Sequence, residues 1–380
     1  MKTQLRLHAL LLVLAASMLA ADEVEPTRAD LDFTRIIPET LPKSAVFRQP
    51  GWHLWDPCVV KGEDGTYHLF YSRWKSSLGF DAWCTHAEIA WATANTLTGP
   101  YAFRGVALPQ RGEKFWDGHS VFNTCVFKAK GQYFLYYTGN HGTANWAADR
   151  PVPMSSQEWW HQRNLQRIGV AVADSPAGPW TRNDKPLLDV GPEFGQTIIN
   201  VPNMVAKPDG GYRLYYKTLA EGPGRFGGGV FHYGADAPTP LGPFVRFPEP
   251  MVNKNKLLPD VKTHFDFHID DHFEWVRHGH YHAIVKDHDA PFLTPHGRSL
   301  LLFESPDGRA WSPAKHPLVK DFNIRWDDGE RQEFARLEMP KLLFEKDEPA
   351  LLSLAAYAKS GGESFLVLIP LHSPSPSRAP

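Results

Sequence analysis

The sequence predicts an all-β fold, a single-domain five-bladed β-propeller, from three observations. A strand–turn–strand unit recurs five times, as Val59–Tyr71, Val126–Tyr137, Met204–Tyr216, Glu274–Val285 and, more weakly, Lys341–Leu352. A second unit follows each of the first four: an apolar strand and a small turn closing on an aromatic, as in Gly99-Pro100-Tyr101, Gly178-Pro179-Trp180, Gly242-Pro243-Phe244 and Gly308-Arg309-Ala310-Trp311. Period-2 alternation dominates, and no long stretch repeats at 3.6 residues. The units recur roughly every 65 to 80 residues, room for four antiparallel strands and a long connection per blade.

Taken in order, the chain opens with Lys2 and Arg6, an apolar run from Ala9 to Leu19, and Ala20-Ala21-Asp22. This reads as a cleaved signal peptide over 1–21, too short for a membrane span, and implies a secreted or periplasmic protein. Residues 22–50 are polar and proline-punctuated and read as an N-terminal arm. The propeller is expected over 51–372. Its first hairpin, within Trp52–Tyr71, joins a strand that opens on Asp56 to the alternating strand Tyr67–Tyr71 through the turn residues Glu63-Asp64-Gly65. Ser155–Gln166 reads as a short helix in an inserted loop, and 373–380 as a disordered Pro/Ser tail.

The net charge of −2 gives no electrostatic pull toward nucleic acid or an anionic membrane. Aromatics make up 13% of the chain, enough for a large β core and for rings that stack on sugar faces. The cysteines are Cys58, Cys84 and Cys125, an odd count; Cys58 and Cys125 hold matching repeat positions and are expected to be buried thiols. His264, His268 and His272 are spaced i, i+4, i+8, but on loop and strand, where that spacing has no metal-binding meaning; His278, His280, His282 and His288 complete the cluster. No metal or cofactor is called for by the residues.

A propeller brings the starts of its inner strands around one axis. In repeat register Asp56 matches Asn123, Val201, Asp271 and Met339. Asp117, His119, Asn200, Asn203, Asp270, Arg336 and Glu338 are near neighbours, with Trp52, Trp55 and Trp116 as stacking walls. Paired carboxylates are what glycosidic hydrolysis needs: one ionised to activate water, the other protonated near neutral pH to donate to the leaving oxygen. Asp56, Asp271, Asp270, Asp117 and Glu338 are the candidate catalytic carboxylates. Asn123, Asn203, His119, His272 and Arg336 are expected to bind substrate. Strand alternation predicts that only one of Asp270 and Asp271 points inward.

Several stretches together resemble the five-bladed propeller glycosidases of glycoside hydrolase families 43 and 117. They are Trp55-Asp56-Pro57, Lys61–His68, Gly79–Trp83, Phe115–Gly118, Arg167–Pro176 and Ala283–Asp287, and they span nearly the whole mature chain. The resemblance implies a base aspartate on the first blade, matched by Asp56. It implies a modulating aspartate on the third, where Val201, Pro202 and Asn203 stand instead. It implies an acid, usually glutamate, at the start of the fourth, where Asp270 and Asp271 stand. A histidine acid, as in family 117, would be His272. The resemblance also allows a calcium ion in the channel. The expected function is an inverting, exo-acting glycosidase on a plant or algal polysaccharide or its oligosaccharides. The alternatives are an inactive glycan-binding propeller and a mannoside phosphorylase, which would need a basic cluster at the funnel.

Overall fold

The computed structural model describes residues 30–191, 193, 196–220, 229–251, 269–287 and 297–372. The predicted signal peptide, the C-terminal tail and His264, His268 and His288 lie outside these residues.

Five antiparallel sheets stand around one axis. A short N-terminal strand, β1 (Val46–Phe47), comes first in the chain. Blade one contains β2 (Trp52–Lys61), β3 (Tyr67–Lys75), β4 (Glu88–Ala94) and β5 (Ala102–Leu108). Blade two contains β6 (Ser120–Ala129), β7 (Gln132–Asn140), β8 (Arg167–Ala173) and β9 (Thr181–Arg182). Blade three contains β10 (Gln196–Ala206), β11 (Tyr212–Ala220), β12 (Val230–Ala237) and β13 (Val245–Arg246). Blade four contains β14 (Ile269–Arg277), β15 (His280–Asp287), β16 (Ser299–Ser305) and β17 (Ser312–Asp321). Blade five is built on β18 (Asn323–Arg325), β19 (Arg331–Glu345), β20 (Glu348–Ala358) and β21 (Phe365–Pro370). The inner strands β2, β6, β10, β14 and β19 touch in sequence and close the ring.

The N-terminal arm is drawn into this ring. Val46 pairs with Val367 and Phe47 with Leu366, so β1 is the outer strand of blade five. The first and last parts of the propeller thus share one sheet. The helix α1 (Phe33–Ile36), capped by the Asp32 side chain, buries Phe33 and Ile36 against blades four and five.

One apolar cluster fills each seam between blades. The aromatic second strands supply much of it: Tyr71, Tyr136, Tyr137, Tyr215 and Tyr216 are wholly buried. Two-residue hairpin turns with both φ positive join the first two strands of blades two, four and five, at Lys130-Gly131, His278-Gly279 and Lys346-Asp347. This primed-turn geometry matches strand twist and favours glycine. Blade five adopts it without one, which is why its repeat is the faintest in the sequence.

The expected helix is present as α3 (Gln157–Asn164), capped by Ser156 and lying in the insertion between β7 and β8. It packs its Trp159 and Trp160 on α2 (Trp83–His86) and Val152. Trp159 Nε1 donates to the Asp81 carbonyl at 2.9 Å and Trp160 Nε1 to that of Met154 at 2.8 Å, pinning the insertion over one end of the axis.

Candidate active site

Each inner strand is interrupted at the same repeat position. The β2–β3 ladder skips between Trp55 and Cys58, and the equivalent breaks fall at Phe122/Cys125, Asn200/Asn203, Asp270/His272 and Glu338/Lys341. The residue inside each break is left-handed: Asp56 (φ 53°), Asn123 (57°), Val201 (50°), Asp271 (40°) and Met339 (56°). A bulge re-aims the side chain it carries. Here it turns five side chains into one cavity of about 300 Å³ at the axis. This is the register set that the repeats predict.

Asp56 is buried and well supplied with donors. Its Oδ2 accepts from Ser72 Oγ (2.6 Å) and the Asn123 amide N–H (2.9 Å), and its Oδ1 from Asn123 Nδ2 (3.0 Å). Burial pushes its pKa up, those three bonds pull it back, and repulsion from Asp271 adds to the rise. The Asn123 amide is itself oriented by Thr138 Oγ1, which donates to its Oδ1 at 2.9 Å.

Across the cavity, Lys286 gathers three carboxylates. Its Nζ lies 2.9 Å from Asp271 Oδ2, 3.0 Å from Glu338 Oε1 and 3.4 Å from Asp270 Oδ2. Lys217 adds a 2.5 Å contact to Asp270 Oδ1. Both aspartates therefore reach the cavity. This corrects the alternation argument, because the bulge at Asp271 interrupts the period of two. Burial would lower the ammonium pKa of Lys286, but Asp271, Glu338 and Asp270 hold it high. For Asp271, burial is the main cause and raises the pKa; Lys286 and Lys217 pull it down, Asp270 and Glu338 push it up, and the net direction is upward. For Glu338, burial also acts upward, but Lys286 and Arg336 reverse it and hold the carboxyl below its ordinary value. Lys286 is the partner of Asp271 Oδ2, whereas the buried Asn200 Oδ1 on the same lining accepts no hydrogen bond.

Trp55, Trp74, Phe80, Trp83, Trp159 and Trp160 wall the cavity, and Arg163, Gln166 and Arg336 lie on its lining. Of the expected site residues, Asp56, Asp270, Asp271, Glu338, Trp55, Asn123 and Arg336 come together here. The others do not line it. Asp117 is wholly buried between blades one and two, held by Arg111 (2.7 Å), Arg182 (3.2 Å) and the Tyr137 hydroxyl (2.7 Å). Trp116 stacks on Tyr137, and Trp52 lies under the Arg73 guanidinium. His119 stacks on Trp146 and accepts from the Gly142 N–H. Asn203 donates to Glu274, and His272 meets Glu274 through Nδ1 at 2.8 Å, both below the bulge.

Lys217 and Lys286 escaped notice in the sequence, although the repeat contains them. The residue before each bulge pairs across the ladder with Ser72, Thr138, Lys217, Lys286 or Ala355. That position directly follows the aromatic or apolar run of the second strand. Aligning it would have exposed two lysines where blades one and two have hydroxyls.

Two residues beyond each bulge stand Cys58, Cys125, Asn203, Phe273 and Lys341. They contact one another. The Cys125 thiol donates to Asn203 Oδ1 at 3.4 Å, and Lys341 Nζ lies 5.2 Å from the Phe273 ring centre. All three cysteines are free and buried, and burial followed by the nearby Cys125 pushes the Cys58 thiol up to about 12. Calcium takes six to eight oxygen ligands. This ring of thiols, amide, phenyl and ammonium does not fit a calcium ion, and among the described residues no cluster of three His, Cys, Asp or Glu side chains could hold a metal. No helix among them is long and apolar enough to cross a membrane.

No protein-family model matches the sequence, and no curated protein matches it either. Solved structures do. A structure described as a BT0996 complex with RGII superposes with a TM-score of 0.65 at 12% identity, covering 92% of this protein and 95% of that one. Zg3597, a family 117 glycoside hydrolase of Zobellia galactanivorans, gives 0.58 at 17% identity, with 90% and 92% covered. An α-L-arabinanase of Cellvibrio cellulosa in complex with arabinohexaose gives 0.53 at 16% identity, with 84% and 92% covered. The protein shares its five-bladed fold with these glycoside hydrolases.

Proposed function

We propose that this protein is a glycosidase that hydrolyses O-glycosidic bonds in a plant or algal polysaccharide or its oligosaccharides, with inversion and from the chain end. The reading is carried by one observation: two buried carboxylates, Asp56 and Asp271, share one aromatic-walled cavity and repel each other. The fold shared with glycoside hydrolases supports it, as does the arabinohexaose bound by one of them.

The carboxylates divide the labour by environment. Asp56 receives three donors, which offset part of the rise that burial causes, and acts as base toward a water. Oδ1 carries only one of the three bonds, which leaves it a free acceptor direction for that water. Asp271 sits between carboxylates that resist its ionisation, and it carries the proton for the leaving oxygen. Asp270 pairs with the two lysines and Glu338 with Lys286 and Arg336, and both carboxylates add to the rise that burial gives Asp271. Trp55 and Trp83 offer ring faces to the sugar, and the unpartnered Asn200 Oδ1 accepts from a hydroxyl. Secretion by the N-terminal leader belongs to the same proposal.

The test is release of reducing sugar from arabinan, xylan, agar and carrageenan fragments by wild type and Asp56→Asn, with the anomer of the first product followed by NMR. Turnover by wild type and its loss in the variant support the reading; equal turnover in both rejects Asp56 as base. Val201 occupies the third-blade position, where the resemblance implies a carboxylate, and this favours a second reading in which the pocket holds a glycan without cleaving it. Tight binding of a fragment with no turnover by wild type would establish that reading instead.

A further inference from the structure

The four cations on the cavity lining are not equivalent. Lys217, Lys286 and Arg336 each have a carboxylate within ion-pair distance. Arg163 has none among the described residues; its Nη1 donates to Asn164 Oδ1 at 3.1 Å, and its guanidinium lies over the Trp160 ring at 5.5 Å. A guanidinium carries five N–H donors in a planar fork, so most of its capacity is unspent.

We propose that Arg163 is the receptor of an oxyanion in this cavity, an anionic group of the bound sugar (a carboxylate or a sulfate ester) or a free phosphate. The inference rests on the reading of the cavity as a sugar site and adds the charge of its ligand.

Three features support it. Arg163 is the next-to-last residue of α3, whose cap at Ser156 and tryptophan hydrogen bonds set the helix over the cavity, and the Asn164 side chain and the Trp160 ring orient the guanidinium there. A guanidinium in that state pays little of the ordering cost of binding. Burial pulls its pKa down, with only weak opposition from Cys84 and Asp270, which is the signature of a desolvated cation that lacks a counter-ion. An arginine kept for packing alone would be served by its contact with Trp160 and would not need to lie on the lining. A bidentate oxyanion fits the fork, satisfies two donors at once and neutralises the charge in a partly dry site.

The experiment titrates full-length Asp56→Asn, in which turnover is blocked, by calorimetry. The probes are trigalacturonate, its methyl ester, a neutral arabinotriose, a sulfated carrageenan tetrasaccharide and inorganic phosphate. Each titration is repeated in the added backgrounds Arg163→Gln and Arg163→Lys, with Tm recorded for every variant. The expected result is that at least one anionic probe binds, loses about tenfold to a hundredfold in affinity with Arg163→Gln and less with Arg163→Lys, and does so more at low salt than at high. Neutral probes should be unaffected. The probe that responds identifies the source: carboxylate, sulfate or phosphate. Equal losses for charged and neutral probes, or no anionic probe responding to Arg163, overturn the proposal. Wild-type turnover of neutral fragments with no anion effect would leave the glycosidase reading standing and remove this one. Anion binding through Arg163 with no turnover of any fragment would do the reverse.

Discussion

Replacing Lys286 with methionine removes a buried ammonium while keeping most of its volume. In the native protein that ammonium lies 2.9 to 3.4 Å from three carboxylates, none of them exposed, and Lys286 is itself 3% exposed. Breaking a buried charge cluster from one side costs about 3–5 kcal/mol, because the remaining charges lose their partner. At about 2.1 cal/mol/K of unfolding entropy per residue, a folded chain of this size loses roughly 1.4 °C of Tm per kcal/mol, so the expected drop at neutral pH is about 4–7 °C. The pH dependence separates charge from packing. In wild type the Glu338 carboxyl is held low, so its contribution is present above the unfolded value and lost as pH falls through the folded one. The raised Asp271 carboxyl acts in the opposite sense: its ionisation costs stability as pH rises through its folded value. Without Lys286 both groups are raised, so the deficit of the variant should be largest at neutral pH and shrink toward pH 4, where the carboxylates take up protons. Calorimetric Tm values at pH 4, 5.5 and 7.5 measure this. A deficit of the same size at all three would mean that Lys286 acts through its stem alone and would refute the charge argument.

Asp271→Asn should lower kcat by about a hundredfold to ten-thousandfold, the range for a general acid, and abolish the alkaline limb of the rate profile, which lies above the ordinary carboxylate range because burial raises Asp271. A variant that keeps the limb would pass the acid role to another residue. Asp117→Asn should cost about 3 kcal/mol through the stranded Arg111 and Arg182, with kcat/KM within about twofold of wild type; a large loss of turnover at unchanged Tm would return Asp117 to the site. Asp347→Gly should raise stability by up to about 1 kcal/mol in denaturant melts, because that turn position is left-handed at φ 64° and glycine adopts it without steric cost.

The fold was legible because a propeller states its rule five times. The turn residues Gly65, Gly131, Gly210 and Gly279 mark four hairpins, and the tyrosines after them fill the seams. The register of the axis was legible for the same reason: Asp56, Asn123, Val201, Asp271 and Met339 share a position, and the structure gives them a common left-handed bulge. What escaped the sequence depends on contacts between blades or on departures from alternation. Asp117 and Trp116 precede a glycine near an inner strand and so resemble site residues. Yet the small Gly139 and Gly169 let them sink between blades, where a Cβ on Gly169 would come within 2.5 Å of the Tyr137 ring. Trp159, Trp160 and Arg163 come from an insertion, which no repeat can place.

The ring of second-strand residues behind the bulges explains how one repeated position yields two chemistries. In blades one and two it offers hydroxyls. Ser72 donates to Asp56, and Thr138 orients the amide of Asn123 that donates to Asp56 in turn, so Asp56 is surrounded by neutral donors that favour its charge without adding any. In blades three and four it offers the ammoniums of Lys217 and Lys286. In blade five it offers only Ala355, so Glu338 finds its partner across the seam in Lys286. The ammoniums do not set the state of Asp271 alone. Burial is the main reason that its carboxyl is held up, and Asp270 and Glu338 add to the rise against the pull of Lys286 and Lys217. The Asp271 carboxyl is thus raised within a cluster that contains two lysines, because burial and the neighbouring carboxylates oppose their pull.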